Sequence, residues 1–123
     1  VVASFPGWVD ASERTALLAR AYLVAVPSIW PEPFGLVGLE AAEFGVPAVA
    51  FDVGGIREWL THDVNGRLAD LAGGPVALGE AIAAILADQT LRLRLSAGAL
   101  DAARRFSAEV HLTRLEQVLH GRP

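Results

Sequence analysis

The sequence SIWPEPFGLVGLEAAEFGVPAVA, residues 28–50, decides the fold because it predicts a turn, a helix and a buried strand in direct succession. Pro-Phe-Gly is typical of a tight turn, since proline fixes φ and glycine accepts conformations that other residues avoid. A helix is expected over Gly35–Phe44, with Gly45 as its C-terminal stop. The apolar run Ala48–Phe51 follows a proline and predicts a strand.

The rest of the chain repeats this alternation of short apolar runs and helical patterns. Further strands are expected at Val1–Phe5, Tyr22–Val26 and around Arg67–Ala69. Further helices are expected at Glu13–Ala21, capped by Ser12 or Asp10, and at Ile56–Leu60. Three more are expected from Val76 onward. The last of these is capped by Ser107 and carries an apolar stripe of Val110, Leu112, Leu115, Val118 and Leu119. Strands that alternate with helices favour the α/β class, with a Rossmann-like parallel sheet and flanking helices, and the three closing helices cover this sheet or dock elsewhere.

The composition is that of a single globular domain and excludes several functions. Of the 123 residues, 53% are hydrophobic and 20% are charged, and the formal charge is −4. All ten basic residues are arginines scattered along the chain, so no nucleic-acid partner is expected. There is no cysteine, which excludes disulfides and thiolate metal sites. The apolar runs are far shorter than the ~20 residues of a membrane span, and no signal-peptide pattern is present.

The start of the Gly35–Phe44 helix is the strongest candidate for a binding site. Amides of a first helical turn lack partners within the helix, and the helix dipole adds positive potential, so a diphosphate suits this position. Glu32 lies in the loop before the helix, and Glu40 lies roughly a turn and a half inside it. Both carboxylates can accept hydrogen bonds from hydroxyl groups, and the hydroxyls of a ribose would suit Glu40. The alternative for either acid alone is a surface residue or a partner of the dipole.

Other polar and aromatic residues have simpler interpretations. His62, His111 and His120 are dispersed along the sequence and are expected at the surface, so no metal site is predicted. Ser28 lacks the Gly-x-Ser-x-Gly context of a hydrolase nucleophile. Trp30 precedes Glu32 and either borders the ligand or packs against the protein.

The sequence resembles the retaining glycosyltransferases of family 4, which have the two-domain GT-B architecture, and it is similar to their carboxy-terminal, nucleotide-sugar-binding domain. The pair of glutamates with seven residues between them is the most specific part of this resemblance. The matching text is Phe5-Pro-Gly7-Trp-Val9, Val26-Pro-Ser28, Glu32-Pro-Phe-Gly-Leu-Val-Gly-Leu-Glu40-Ala-Ala, Gly45-Val-Pro-Ala-Val, Val53-Gly-Gly-Ile-Arg-Glu58 and Asn65-Gly-Arg-Leu.

The resemblance implies a role for each residue around the turn. It makes Glu32 the catalytic residue, which also binds hydroxyls of the donor sugar. It implies further donor-binding contacts from the backbone amides of Phe34, Gly35 and Leu36 to the sugar and the diphosphate, from Val37 to the nucleoside, and from Glu40 to the ribose. Gly54 and Gly55 would start the next helix close to the cleft, and Glu58 is expected to be a surface acid.

The resemblance also implies the chemistry. Such enzymes move a sugar from a nucleoside diphosphate to an acceptor hydroxyl with retention at the anomeric carbon. Positive groups and helix N-termini stabilise the leaving group, so neither a metal nor a cofactor beyond the nucleotide-sugar substrate is expected. We expect a cytoplasmic protein, with attachment to the inner membrane face as an alternative.

The family has an Arg and a Lys that clamp the diphosphate, and two more strands, all upstream of the matching text, whereas this sequence contains no Lys. We therefore expect residues 1–123 to be a partial C-terminal donor-binding domain that is inactive without the amino-terminal domain of its parent. In the family's strand order the missing strands separate Val1–Phe5 from Tyr22–Val26. These two strands then become neighbours, or one sheet edge stays open for self-association. Half of a nucleotide-sugar epimerase and a non-catalytic interaction module are the alternative hypotheses.

Overall fold

The computed structural model describes residues 2–121, which form a three-stranded parallel sheet flanked by helices. The strands are β1 (Val24–Val26), β2 (Ala48–Phe51) and β3 (Gly66–Ala69), in that spatial order. The helices are α1 (Ala11–Ala19), α2 (Leu36–Ala42), α3 (Gly74–Ala87), α4 (Gln89–Arg105) and α5 (Ala108–Leu119), together with 3₁₀ helices at Gly54–Glu58 and Leu71–Gly73. The expected α/β class with a Rossmann-like parallel sheet is confirmed.

β2 is the centre of the sheet, and all four of its residues are buried. Successive side chains of a strand point to opposite faces. Ala48 and Ala50 belong to a core formed with α2 and the Gly54–Glu58 helix. Val49 belongs to a second core formed with α3 and α4. The sheet is therefore covered on both faces. α2 lies on the face that carries Ala48 and Ala50.

Most predicted elements are present, with small differences at their ends. β2 has the expected ends, and α2 lies within the predicted range 35–44. α1 is capped by Asp10 rather than Ser12, because the Asp10 carboxylate accepts hydrogen bonds from the amides of Ser12 and Glu13. The Glu13 carboxylate accepts one in return from the amide of Asp10, which completes a capping box.

The strand predicted at Val1–Phe5 is wrong for the part that the structure describes. Val1 lies outside the described residues, and residues 2–6 form neither strand nor helix. Val2 is 99% exposed and Phe5 is 92% exposed. A strand requires a hydrogen-bonded neighbour, and β1, which had to accept this one, pairs only with β2 among the described residues. Of the two expected arrangements, the open sheet edge is therefore the one observed.

The last helix begins as predicted, but its apolar stripe is not buried. The Ser107 side chain caps α5 by accepting a hydrogen bond from the amide of Val110. α3 and α4 pack on the sheet, whereas α5 has no buried residue, and Val118 is 75% exposed. Within residues 2–121 no single helix is long and apolar enough to cross a membrane. One bent pair, Leu71–Ala87 with Gln89–Leu119, meets the length and composition criteria only when both members are taken together.

Candidate functional site

The turn between β1 and α2, residues 31–35, is built around a glycine that no other residue can replace without strain. Gly35 caps α2 and has φ of 79° and ψ of 56°, in the left-handed region. A Cβ atom added at this position would lie 2.7 Å from Cδ1 of Ile56. The backbone therefore reverses into α2 at the predicted position, with the side chain of Ile56 packed closely against Gly35.

The Gly54–Glu58 helix supports this turn from the C-terminal end of β2. The amide of Gly55 donates a 2.8 Å hydrogen bond to the carbonyl oxygen of Glu32. An added Cβ would lie 2.3 Å from that oxygen at Gly54, and 2.0 Å from the carbonyl oxygen of Pro33 at Gly55. Both glycines are therefore required by close backbone contact. Their expected position at the start of a helix is confirmed, and this helix touches the turn directly.

The amides at the end of the turn and the start of α2 lack hydrogen-bond partners in the part of the chain that the structure describes. Within residues 2–121, the backbone N–H groups of Phe34, Gly35, Leu36 and Val37 have no protein acceptor. The amide of Gly38 donates to the carbonyl of Gly35, so the internal hydrogen bonding of the helix begins only there. Four adjacent unpartnered donors at a helix start form a region of positive potential that attracts an anion.

Glu32 lies in the turn and is held by a neighbouring serine. The hydroxyl of Ser28 donates a 3.1 Å hydrogen bond to Oε2 of Glu32. Ser28 is buried and Glu32 is partly buried, so the carboxylate has one oxygen oriented by the protein. The other oxygen, Oε1, has no hydrogen-bond partner within residues 2–121. This arrangement suits a carboxylate that accepts hydrogen bonds from the hydroxyls of a ligand.

Glu40 lies in the second turn of α2 and faces α1. Its side chain is 38% exposed, and Oε1 lies 3.6 Å from a guanidinium nitrogen of Arg14. Glu40 therefore neither projects freely into solvent nor is sealed in the core. The pairing is loose enough for a competing hydroxyl to replace it, since a partly exposed pair of this kind contributes only weakly to stability.

The side chains of the first α2 turn are exposed in part. Leu36 is 65% exposed and Val37 is 39% exposed, whereas the Phe34 ring packs edge-on against Phe106, with 5.7 Å between centroids. A cavity of about 410 Å³ opens beside this pair. It is lined by Phe34, Leu36, Leu39, Arg105, Phe106, Val110, His111 and Arg114. Phe34 and Leu36 thus share one cavity, while Glu32 and Glu40 are bound to different partners outside it.

Three contacts around the site were not foreseen from the sequence. Arg14 pairs with Glu40, Ser28 binds Glu32, and the indole of Trp59 donates a 2.5 Å hydrogen bond to the carbonyl of Phe34. The two partners of the Trp59 bond are 25 residues apart. No local pattern signals such a contact, whereas the Ser28 contact spans four residues and was accessible to sequence reasoning.

The remaining candidates lie at the surface. His62, His111 and His120 are exposed, as expected, and Glu58 is an exposed acid on the 3₁₀ helix. Trp30 is 58% exposed. Among residues 2–121 no three side chains of the metal-binding types lie together. Asp52, which follows β2, accepts hydrogen bonds from the Arg57 guanidinium and thereby raises the pKa of Arg57.

The chain belongs to the family described as "Glycosyl transferases group 1", whose pattern matches residues 2–101. It is 50% identical over 86 residues to a D-inositol 3-phosphate glycosyltransferase of Xylanimonas cellulosilytica, an alignment that covers 70% of this chain and 20% of that protein. It is 34% identical over 114 residues to a phosphatidyl-myo-inositol mannosyltransferase of Mycobacterium leprae, with 93% of this chain and 30% of that protein covered.

A solved structure agrees with these sequence matches. The crystal structure of Anabaena Alr3699/HepE in complex with UDP superimposes with a TM-score of 0.79 at 33% identity, covering 85% of this chain and 29% of that one. The same protein has been crystallised with UDP-glucose. The chain therefore spans between a fifth and a third of the length of the proteins it resembles.

Proposed function

We propose that this chain is the donor-binding part of a retaining, metal-independent glycosyltransferase of family 4. The observation that carries the proposal is the row of four unpartnered amides at residues 34–37, with one carboxylate before it and one after it. Amides suit a diphosphate, and carboxylates suit the hydroxyls of a sugar and a ribose. The UDP and UDP-glucose complexes of the Anabaena protein support a nucleoside diphosphate sugar as the ligand class.

Each residue has a defined role in this proposal. The amides of Phe34, Gly35 and Leu36 bind the diphosphate and the attached sugar. Val37 lies beside the nucleoside, and Glu40 exchanges its contact with Arg14 for the ribose hydroxyls. Glu32, oriented by Ser28, binds hydroxyls of the donor sugar next to the reacting anomeric carbon, which is why we propose it as the catalytic residue.

The chemistry follows from the charge that develops during transfer. The bond between the anomeric carbon and the diphosphate oxygen breaks, the new bond forms to the acceptor oxygen on the same face of the sugar, and the proton of the acceptor hydroxyl passes to the departing diphosphate. Negative charge grows on the leaving diphosphate, where the amides at the start of α2 are already oriented to receive it. This fixed positive potential supplies the stabilisation without a metal ion or a cofactor. We propose that transfer also requires a further domain of the parent protein, which would bind the acceptor.

The proposal is tested by following the amide signals of the chain by NMR while UDP, GDP or ADP is added to millimolar concentration. We expect shifts at residues 34–37 with at least one nucleotide. Glu40→Gln should weaken this binding about tenfold or more, because hydrogen bonds to a charged group are each worth roughly 1.5–3 kcal/mol.

The matched control is Glu43→Gln, which removes the same charge from the exposed end of α2. It should leave the affinity within about twofold, because this exposed carboxylate is screened by solvent and makes none of the contacts proposed for Glu40. Nucleotide shifts located away from residues 32–40, or equal losses in the two variants, would contradict the proposed site. The absence of any shift in the unmodified chain would contradict it as well.

A further inference from the structure

We propose that Trp59 is a positioning residue that aims the amide of Gly35 at the diphosphate of the donor. The inference deepens the proposed function and rests on it. Trp59 lies in no part of the turn, and its side chain is only 2% exposed, so it does not touch the ligand. Trp59 acts on the ligand site through one peptide group, the one between Phe34 and Gly35.

The direction of that peptide group follows from one hydrogen bond. Nε1 of Trp59 donates to the carbonyl oxygen of Phe34 at 2.5 Å. In a planar trans peptide the C=O and the following N–H point in opposite directions. Because the Phe34 carbonyl is held inward by the indole, the N–H of Gly35 points outward, away from the core. That N–H is one of the four without a protein acceptor.

The indole can hold this carbonyl because both its ring and its backbone are held by neighbouring residues. A Cβ atom at Gly38 would lie 2.0 Å from Cη2 of the Trp59 ring, so only glycine at this α2 position leaves room for it. On the backbone, the carbonyl of Trp59 accepts a 2.7 Å hydrogen bond from Nδ2 of Asn65, which is buried. The ring and its peptide are thus both anchored, and the N–H has little freedom to leave Phe34.

A left-handed glycine needs such an anchor. Glycine rotates more freely than any other residue, so the peptide before Gly35 has no intrinsic preference for the orientation that exposes its N–H. The amide of Gly55 fixes the carbonyl of Glu32, but the following residue is Pro33, which has no N–H to aim. Trp59 therefore controls the first amide in the turn that is both oriented by the core and open to a ligand.

The test compares Trp59→Phe with the matched variant Trp8→Phe. The first removes the N–H and keeps an aromatic ring in the core, while the second makes the same change at a tryptophan that is 97% exposed and lies outside the proposed site. Folding is checked by circular dichroism, and affinity for UDP, GDP or ADP, whichever binds the unmodified chain, is measured by NMR titration. We expect Trp59→Phe to weaken binding about fivefold or more and to move the free-state amide signal of Gly35, since one oriented hydrogen bond is lost. Trp8→Phe should change neither the affinity nor the Gly35 signal.

If Trp59→Phe does not fold, replacement of the Trp59 indole by benzothiophene in a synthetic chain removes only the N–H and keeps the shape. A purely structural role predicts a lower denaturation midpoint with unchanged affinity of the folded protein, and that result overturns the inference. In that case binding that still depends on Glu40 leaves the proposed function in place. Binding that is indifferent to Glu40→Gln refutes the proposed function instead, and a chain that binds no nucleotide refutes both.

Discussion

At the scale of single residues, the site depends on two glycines whose missing side chains leave room for the backbone of the turn at residues 31–35. Gly54 and Gly55 lie against the carbonyl oxygens of Glu32 and Pro33. Carbonyl oxygens of a tight turn cannot move aside as a flexible side chain can. The two glycines therefore help to shape the turn at residues 31–35, and their effect on binding is indirect.

Gly55→Ala is expected to damage both stability and binding. The new methyl group would lie 2.0 Å from the carbonyl oxygen of Pro33, so the turn or the 3₁₀ helix must shift. Overpacking of this kind lowers the free energy of unfolding by roughly 1–3 kcal/mol. Denaturant unfolding measures the loss, and NMR titration should show weaker nucleotide binding by the folded fraction.

The control is Gly79→Ala on α3, where an added Cβ meets nothing within 4 Å. This variant should be more stable by roughly 0.5–1 kcal/mol, because alanine is the better helix former. A Gly55→Ala protein as stable as the original would mean that the turn does not rest on this helix.

At the scale of elements, α1 has a pH-dependent start. The hydrogen bonds from the amides of Glu13 and Ser12 favour the charged form of Asp10 and hold its pKa below the ordinary value of 3.8. A carboxylate with a lowered pKa in the folded state stabilises the protein fully above pH 3.8. That contribution is lost as the pH falls through the lowered pKa.

We expect α1 to loosen in this acidic range, as seen by faster hydrogen exchange of its amides. Asp10→Asn keeps a capping side chain that does not titrate, with Glu13 retained in both proteins. The variant should therefore lose much of the acid sensitivity of α1. An unchanged pH profile of α1 exchange in Asp10→Asn would assign the sensitivity to another group.

The elements also show what a sequence pattern can and cannot predict. β2 was predicted with its observed ends, because an apolar run between a proline and an acidic turn has few other uses in a parallel sheet. Residues 2–5 show the same kind of apolar run, but they are exposed. An apolar run indicates that a segment can form a strand. It does not indicate whether a neighbouring strand is present to pair with that segment.

The candidate site likewise has features that the local sequence predicts and features that it does not predict. The turn, the glycine at position 35 and the stop at Gly45 could be predicted, because each is determined by neighbouring residues. The pairs Arg14–Glu40 and Trp59–Phe34 could not, since they join separate elements and depend on how α1 and the 3₁₀ helix pack on α2. The donor-binding roles of Glu32, Phe34, Gly35, Leu36, Val37 and Glu40 stay predictions until a ligand is observed.

At the scale of the whole molecule, the β1 edge of the sheet is unpaired within residues 2–121. β1 pairs with β2 on one side only. An exposed strand edge offers backbone donors and acceptors to another chain. We propose that the 123-residue chain self-associates through this edge when it is studied alone.

Ala25→Lys should reduce this association, because Ala25 is exposed in the middle of β1 and a lysine on an edge strand opposes pairing. The matched control is Ala97→Lys, at an exposed position on α4. Sedimentation velocity over a range of concentrations measures the effect. A monomeric original chain, or equal behaviour of the two variants, would show that the edge is not used.

The separation in sequence between the turn and Trp59, which supports it, has a consequence for biosynthesis. The peptide of Phe34 leaves the ribosome 25 residues ahead of the tryptophan that orients it, and the intervening chain includes the central strand. A nascent chain that ends before position 59 carries every residue expected to contact the donor, but under the proposed role of Trp59 it lacks the contact that orients the Gly35 amide. We therefore expect nucleotide binding only after the tryptophan has been synthesised and has packed against the turn.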